Sequence, residues 1–320
     1  MRILVTGCAG YIGSIVTAYL LNLGDALGRA DEIMGYDSLL FGGQGLLHVV
    51  DRPQFQFVKG DIRDSQKVAC LLQDTDAVVH LAALVGEPAC KREPEITEDV
   101  NTLATKFLVN AARGAGVKHF LFASTCSNYG KQSEPVTEES ELQPLSLYAT
   151  SKIEAEKFVL DAATENYTTT VLRFATAYGL SPRMRFDLLL NEFAKDAVTR
   201  GWLLVYGSES WRPFVHVCDI ARLVALVLAI GRATQGVYNV GGHNRRKIDL
   251  VEKLVQIVPE LEIEKKLNDG DPRDYQVDFS KAETLGFSPA FTPEDGLESV
   301  VQAVQGDFFL DFNQGRYKNA

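Results

Sequence analysis

Residues 6–13 read Thr6-Gly7-Cys8-Ala9-Gly10-Tyr11-Ile12-Gly13, three glycines at three-residue spacing directly after a short apolar run, Arg2 to Thr6. A turn with unusual φ, a backbone that must approach an anion closely and a helix packed tightly on a strand each select glycine. The helix opening here points free N–H groups and the positive end of its dipole at a phosphate. Asp37 follows 24 residues after Gly13, closing the next apolar run, Glu32 to Tyr36, where a carboxylate accepts the hydroxyls of a ribose. A glycine triplet alone is a weak signal; strand, turn, helix and acid in this order identify a dinucleotide site. No arginine follows Asp37 closely enough to offset a 2′-phosphate, so the sequence selects NAD over NADP.

Further apolar runs, Gln56 to Lys59, Ala77 to Leu81, His119 to Ser124 and Thr169 to Phe174, alternate with helical stretches Ile12 to Leu23, Ser65 to Gln73, Thr97 to Gly114 and Leu147 to Glu165. That alternation predicts an α/β fold, a Rossmann-type doubly wound parallel sheet covered on both faces. After Tyr178 the texture changes, first at the Pro- and Arg-bearing stretch Ser181 to Phe186, later in the charge-rich residues 244–320. The expected organisation is a cofactor lobe over residues 1–178, with 214–243 returning to it. A smaller, partly interleaved C-terminal α/β substrate lobe takes 179–213 and 244–320. With 320 residues, 46% of them apolar, the chain is long enough for both.

The net charge of −10 leaves no basic arm for nucleic acid. Five cysteines at spacings that fit neither a disulfide framework nor a zinc ribbon predict no metal site, and the five histidines are scattered. The longest apolar run, Ile220 to Ile230, is broken by Arg222 and is far below the ~20 residues of a membrane span. The expectation is a cytoplasmic chain without a membrane partner.

Tyr148 and Lys152 lie four apart on a predicted helix, on one face. A phenol near pKa ~10 serves as a base at pH 7 only if lowered by roughly three units, which a neighbouring ammonium and an oxidised nicotinamide together can supply in a dry cleft. The strand before them ends in Ser124-Thr125-Cys126-Ser127, at the carboxyl edge where open α/β sheets bind ligands, and a hydroxyl there can hold a substrate oxygen beside Tyr148. Asp61, in Gly60-Asp61-Ile62-Arg63-Asp64, fits two roles: meeting the adenine amino group, or capping the helix that starts near Ser65.

Taken together, these motifs and Val79-His80-Leu81-Ala82-Ala83, Val100-Asn101, Leu172-Arg173-Phe174, Trp211-Arg212-Pro213-Phe214-Val215-His216-Val217 and Asp271-Pro272-Arg273-Asp274 resemble the extended short-chain dehydrogenase/reductases. The branch is that of the NAD-dependent nucleotide-sugar epimerases and dehydratases, of which UDP-glucose 4-epimerase is one type. The resemblance implies Tyr148 as acid/base, Lys152 as its electrostatic partner and ribose anchor, and Thr125 as the hydroxyl on the sugar oxygen. It implies a cofactor site of Gly7, Gly10, Tyr11, Ile12, Gly13, Asp37, Asp61, Ile62, Leu81, Ala82, Ala83, Tyr148, Lys152 and Phe174. A nucleotide diphosphate sugar would meet Thr125, Cys126, Ser127, Thr176, Asn191, Arg212 and Arg273, the arginines on its diphosphate. A homodimer through a four-helix interface built from the helices over 97–114 and 147–165 is implied as well.

Departures narrow the reaction. The 4,6-dehydratases of the branch carry an Asp-Glu pair after the Thr, where this chain has Cys126 and Ser127, so elimination of water lacks its acid and base. GDP-sugar 3,5-epimerase/reductases place a Cys at the position of Ser127, one residue later than Cys126. Thr176 stands where many members have Asn, and Val85 to Cys90, with Glu87 in it, is an uncommon loop. The expectation is a nucleotide-sugar 4-epimerase working through a transient 4-keto sugar. A reductase of nucleotide 4-keto-6-deoxysugars is the alternative, and a non-catalytic NAD-binding regulator a minor one.

Overall fold

The computed structural model describes residues 1–29, 31–267, 273–309, 311–312 and 314–319. Asp271 and Pro272 of the C-terminal motif lie outside the described residues. The elements begin with Arg2–Thr6 (β1), Tyr11–Ala26 (α1), Glu32–Asp37 (β2), Phe55–Lys59 (β3), Ser65–Leu71 (α2), Ala77–His80 (β4), Glu87–Arg92 (α3), Pro94–Thr97 (α4) and Ala104–Gly114 (α5). They continue with His119–Thr125 (β5), Leu147–Asp161 (α6), Thr168–Phe174 (β6), Thr176–Tyr178 (β7), Leu189–Arg200 (α7), Trp202–Tyr206 (β8) and Trp211–His216 (β9). Val217–Ile230 (α8), Gly236–Val240 (β10), His243–Arg246 (β11), Lys247–Ile257 (α9), Glu262–Lys266 (β12), Ser280–Glu283 (α10) and Pro293–Gln305 (α11) complete the chain.

Seven parallel strands form the main sheet in the order β10-β6-β5-β4-β1-β2-β3. The order reverses at β1, so the crevice between the carboxyl ends of β1 and β4 lies at the switch point of the doubly wound sheet. Alternation along β1 explains why both faces are covered. Ile3 and Val5 face a core that includes Val16 and Leu20 of α1 and Ile220 and Val224 of α8, whereas Leu4 faces Leu108 of α5, Val159 of α6 and Phe120. β10, formed only after the chain has left the sheet and come back, pairs in parallel with β6.

Beyond Phe174 a second layer begins. β7 joins β9 and β11 in a three-stranded sheet, β8 pairs with β12, and α7, α9 and α11 pack against one another. The expected boundary between 213 and 214 falls inside β9. Helix bounds differ from expectation: α1 runs on to Ala26 and α2 ends at Leu71. α6 stops at Asp161, short of Glu165, and the stretch read as one helix from Thr97 to Gly114 contains a π-type segment, Glu98–Leu103, before α5. Among the described residues no helix is long and apolar enough to cross a membrane.

His80, at the carboxyl end of β4, ties three elements together. Its Nδ1 pairs with Thr6 Oγ1 at 2.7 Å and its Nε2 with Thr105 Oγ1 at 2.9 Å, and the ring is buried. Burial, with Lys152 nearby, pushes its pKa down to about 3, and burial holds His119 and His216 down to about 4. A histidine kept neutral by the fold binds its proton only on unfolding. Its contribution to stability is therefore intact above the ordinary value of 6.5 and is lost as pH falls toward the folded value. Denaturant titrations between pH 7 and 4.5 should show stability declining with acidification. In His80→Gln the slope should fall by up to about 1.4 kcal/mol per pH unit, the equivalent of one proton.

Candidate active site

The cradle for a dinucleotide starts at the turn after β1. Gly7 has φ +73°, and a Cβ there would stand 2.7 Å from the Ala82 nitrogen. A Cβ on Gly13 would overlap the Gly7 carbonyl oxygen, so the first turn of α1 lies directly on the loop. Gly10 caps α1 without any side-chain hydrogen bond, which leaves the first N–H groups of the helix for an anion. Every residue assigned to the cofactor from sequence, from Gly7 to Phe174, lines one cleft of about 600 Å³. The residues present fit a dinucleotide.

Asp37 closes β2 as expected and is half-buried. Its carboxylate accepts from the N–H groups of Ala9 (3.0 Å) and Leu39 (2.8 Å), so it also stitches the glycine turn to the loop after β2. Burial raises its pKa, opposed by those two N–H groups and by Arg183. Asp61 turns out not to be the cap of α2: it forks onto Arg63 (2.6 and 3.0 Å), and Asp64 is the cap, accepting from the Lys67 N–H at 3.1 Å.

Ser146 caps α6 and puts Tyr148 in its first turn, with Lys152 one turn on. Thr125 ends β5, and its hydroxyl accepts the Ser127 N–H at 3.1 Å. Lys152 is buried, donates to the Ala123 carbonyl at 2.8 Å and lies 4.7 Å over the Phe122 ring. Burial holds its pKa down to about 8, against Glu156 and the Cys90 thiol, which raise it. The Tyr148 phenol is pushed up by burial and by Cys90, while Arg185, Thr125 and Arg273 pull it down. Lys152 is not among the groups lowering the phenol in the bare protein, where Arg185, Thr125 and Arg273 do so against burial; of the pair expected to act together, the cation of oxidised nicotinamide carries the larger part.

The residues expected to meet a sugar divide. Arg212 and Arg273 do come together: Arg212 Nη1 donates to the Trp211 carbonyl (2.8 Å) and to the Arg273 carbonyl, and Arg273 Nη1 donates to Ser127 Oγ at 3.3 Å. Thr176 opens β7 half-buried, in register with Phe214. Cys126 and Asn191 are turned away. The Cys126 thiol is buried and donates to the Arg173 carbonyl at 3.1 Å, filling the end of β5 as a small apolar group would. The Asn191 amide is buried, accepting from the Gly179 N–H (3.0 Å) and donating to the Arg185 carbonyl (3.0 Å) and Tyr11 hydroxyl (3.2 Å). It holds the segment before α7 in place.

Sequence reading gave three residues of the site no role. Arg183 and Arg185 line the cleft, though the arginine-bearing stretch Ser181 to Phe186 served only as a change of texture. Asn101, inside the π-type segment, uses its amide on both backbone groups of Leu84 (2.8 and 2.9 Å) and on Ser151 Oγ (3.2 Å), joining the loop after β4 to α6. Its sequence signal is the Val100-Asn101 motif, to which no role was attached.

A model of the NAD dependent epimerase/dehydratase family matches residues 3–241. The low-salt glycan biosynthesis protein Agl12 of Haloferax volcanii is 32% identical over 96% of this chain and 99% of its own length. Among solved structures, DesIV, a dTDP-glucose 4,6-dehydratase from Streptomyces venezuelae with NAD bound, is 32% identical with a TM-score of 0.85, covering 96% of this chain and 98% of that one. The UDP-glucuronic acid 4-epimerase of Bacillus cereus, in complex with its sugar nucleotide and NAD, is 28% identical with a TM-score of 0.85, covering 96% and 99%.

The clearance at the glycine turn is directly testable. Gly13→Ala should raise the dissociation constant for NAD by about ten- to hundredfold, the expected range for a forced steric overlap. Gly114→Ala, at the end of α5 where a Cβ meets nothing within 4 Å, should leave NAD binding unchanged. Calorimetric titration of both variants checks this.

Proposed function

We propose, on the premise that the chain belongs to the NAD dependent epimerase/dehydratase family, that it inverts C4 of a nucleotide-linked hexose or uronate through a transient 4-keto sugar. The chain is an enzyme of the NAD-dependent nucleotide-sugar group, and NAD is its cofactor. Bound NAD supplies one hydride acceptor, which becomes the donor on the return. Tyr148 takes the proton of the C4 hydroxyl as the hydride leaves and gives it back afterwards. Thr125, at the end of β5 and among the groups that pull the phenol's pKa down, positions the sugar oxygen beside it. Lys152, locked on the Ala123 carbonyl, keeps positive charge next to the ribose side of the cleft below pH ~8. Arg273 and Arg212, joined to each other and to Ser127, are the grip for the diphosphate.

The observation that carries this reading is the chemistry of the two residues after Thr125. Loss of water needs an acid and a base beside the sugar. Ser127 is neutral, and the Cys126 thiol is enclosed, spent on a carbonyl and pushed up in pKa by burial. Tyr148 and NAD suffice for an inversion that consumes nothing. The same reading includes a homodimer through the helices over 97–114 and 147–165, where Leu103, Phe107 and Leu147 remain exposed.

Incubation of the protein and NAD with UDP-, GDP-, CDP- and dTDP-sugars should yield the C4 epimer of one of them without net change in NADH absorbance. Stoichiometric loss of NAD(P)H with a 4-keto sugar would instead mark a reductase. Tyr148→Phe should reduce kcat at least about a hundredfold while NAD still binds, and retained turnover would remove Tyr148 from the chemistry. Light scattering at micromolar concentration should give twice the monomer mass of 35.2 kDa.

A further inference from the structure

Arg183 lies in the chain between β7 and α7, lines the cofactor cleft and is only 5% exposed. Its guanidinium stands 4.2 Å over the Phe41 ring, and Nη2 donates to the Lys318 carbonyl at 3.2 Å. Its Nε is enclosed and has no hydrogen-bond partner among the described residues. Asp187 and Asp37 compensate it only in part. Asp187 is taken by a two-pronged contact from Arg185 (3.0 and 2.7 Å), Arg185 repels it, and both Asp37 oxygens already hold N–H groups. Burial and Arg185 accordingly push its pKa down to about 10. A buried cation with an orphaned donor is costly unless an anion completes it.

The segment carrying Arg183 is pinned to the start of α1. Tyr11 Oη donates to the Gly179 carbonyl at 2.6 Å, and Ser181 Oγ donates to the Tyr11 carbonyl at 2.7 Å. Gly45, in the loop after β2, fits between the two: a Cβ on it would stand 2.8 Å from the Ala9 carbonyl oxygen and 3.2 Å from Arg183 Cβ. Arg183 is thus held one backbone thickness from the glycine turn. That turn, residues 7–13, contains no basic side chain and offers only backbone N–H groups.

We infer that Arg183 supplies the side-chain cation for the pyrophosphate of NAD, reaching over from the segment after β7, with Phe41 against one face of its guanidinium and the Lys318 carbonyl on one edge. Arginine suits the position because its fork bonds two phosphate oxygens at once. The inference rests on NAD occupying the cleft and is independent of which reaction follows. A phosphate on the 2′ position of the adenosine ribose has the same chemistry, so the test must separate the two.

Arg183→Met keeps an unbranched apolar stem beside Phe41 and removes the guanidinium and its charge. Binding of NAD, ADP, adenosine and NADP to the wild type and the variant is measured by calorimetry, with thermal unfolding as a check on the fold. The expected result is a dissociation constant raised about ten- to hundredfold for both NAD and ADP, with adenosine unchanged. An equal loss for adenosine would mean that Arg183 only shapes the pocket, and would overturn the inference. So would a loss confined to NADP, which would place the guanidinium at the 2′ position. If the methionine variant does not fold, Arg183→Lys carries the same comparison, the discrimination of ADP over adenosine falling because the fork is gone. Failure of the epimerase reading shows in the sugar assay and leaves these binding results untouched.

Discussion

Glu156 and Arg173 meet at 2.7 Å with almost no access to water, and the parts of the chain that make the site converge on them. Arg173, on β6, also places Nε between both Glu156 oxygens and donates to the Tyr129 hydroxyl at 2.9 Å. Tyr129 in turn donates to Asn239 of β10 at 2.7 Å. Glu156, on α6 one turn beyond Lys152, accepts from Ser124 of β5 and from Asn128 at 2.8 Å. Such a pair is a poor source of net stability, because desolvating both ions consumes most of their attraction, but loss of one partner strands a charge at a cost of about 3–5 kcal/mol. Its effect is therefore on geometry: the strand end bearing Thr125 and the helix bearing Tyr148 and Lys152 are locked in one arrangement. Lys152 also gains, since Glu156 is the main group opposing the effect of burial on its charge.

The two halves of the site are built on different principles. The cofactor half rests first on backbone, a tight turn and a helix end, held by the Asp37 carboxylate and with the Arg183 side chain brought alongside from another part of the chain. The half proposed to face the sugar rests on arginines that meet through a carbonyl and a serine, drawn from β9 and from the chain near Tyr275. A net charge of −10 is no obstacle to binding two diphosphates, because exposed charges are screened beyond ~8 Å and the enclosed groups decide.

The cofactor half was readable from sequence because its determinants are local in the chain: glycine spacing fixes a turn, and a run of apolar residues ending in Asp37 fixes the acid. The Asp61 ambiguity went against a capping role because Arg63, two residues away, forks onto it and Asp64 is one turn nearer the helix. What stayed hidden depends on tertiary approach. Nothing near Arg183 in sequence reports that it will stand beside the glycine turn, since the hydrogen bonds that bring it there join residues separated by 168 and 170 positions. Cys126 and Asn191 were misjudged for the complementary reason: motif position places a residue near the site, whereas the direction of its side chain is set by which backbone groups need a partner.

The chain passes between the main sheet and the three-stranded sheet at two places only a few residues long, Ala175 between β6 and β7, and Gly241-Gly242 between β10 and β11. These crossings run side by side, the Ala175 N–H bonding the Val240 carbonyl at 2.8 Å, and Cβ atoms on the two glycines would strike Phe279 and Pro289. A hinge absorbs its rotation in a few unpaired residues; this junction is paired and packed. The two crossings are tied to each other by backbone and wedged by Phe279 and Pro289, a double strap between the two sheets. The strap lies where the strand ends Phe174 and Val240 meet, so the backbone itself sets how the second layer sits against the carboxyl edge of the main sheet, the edge on which the cleft opens.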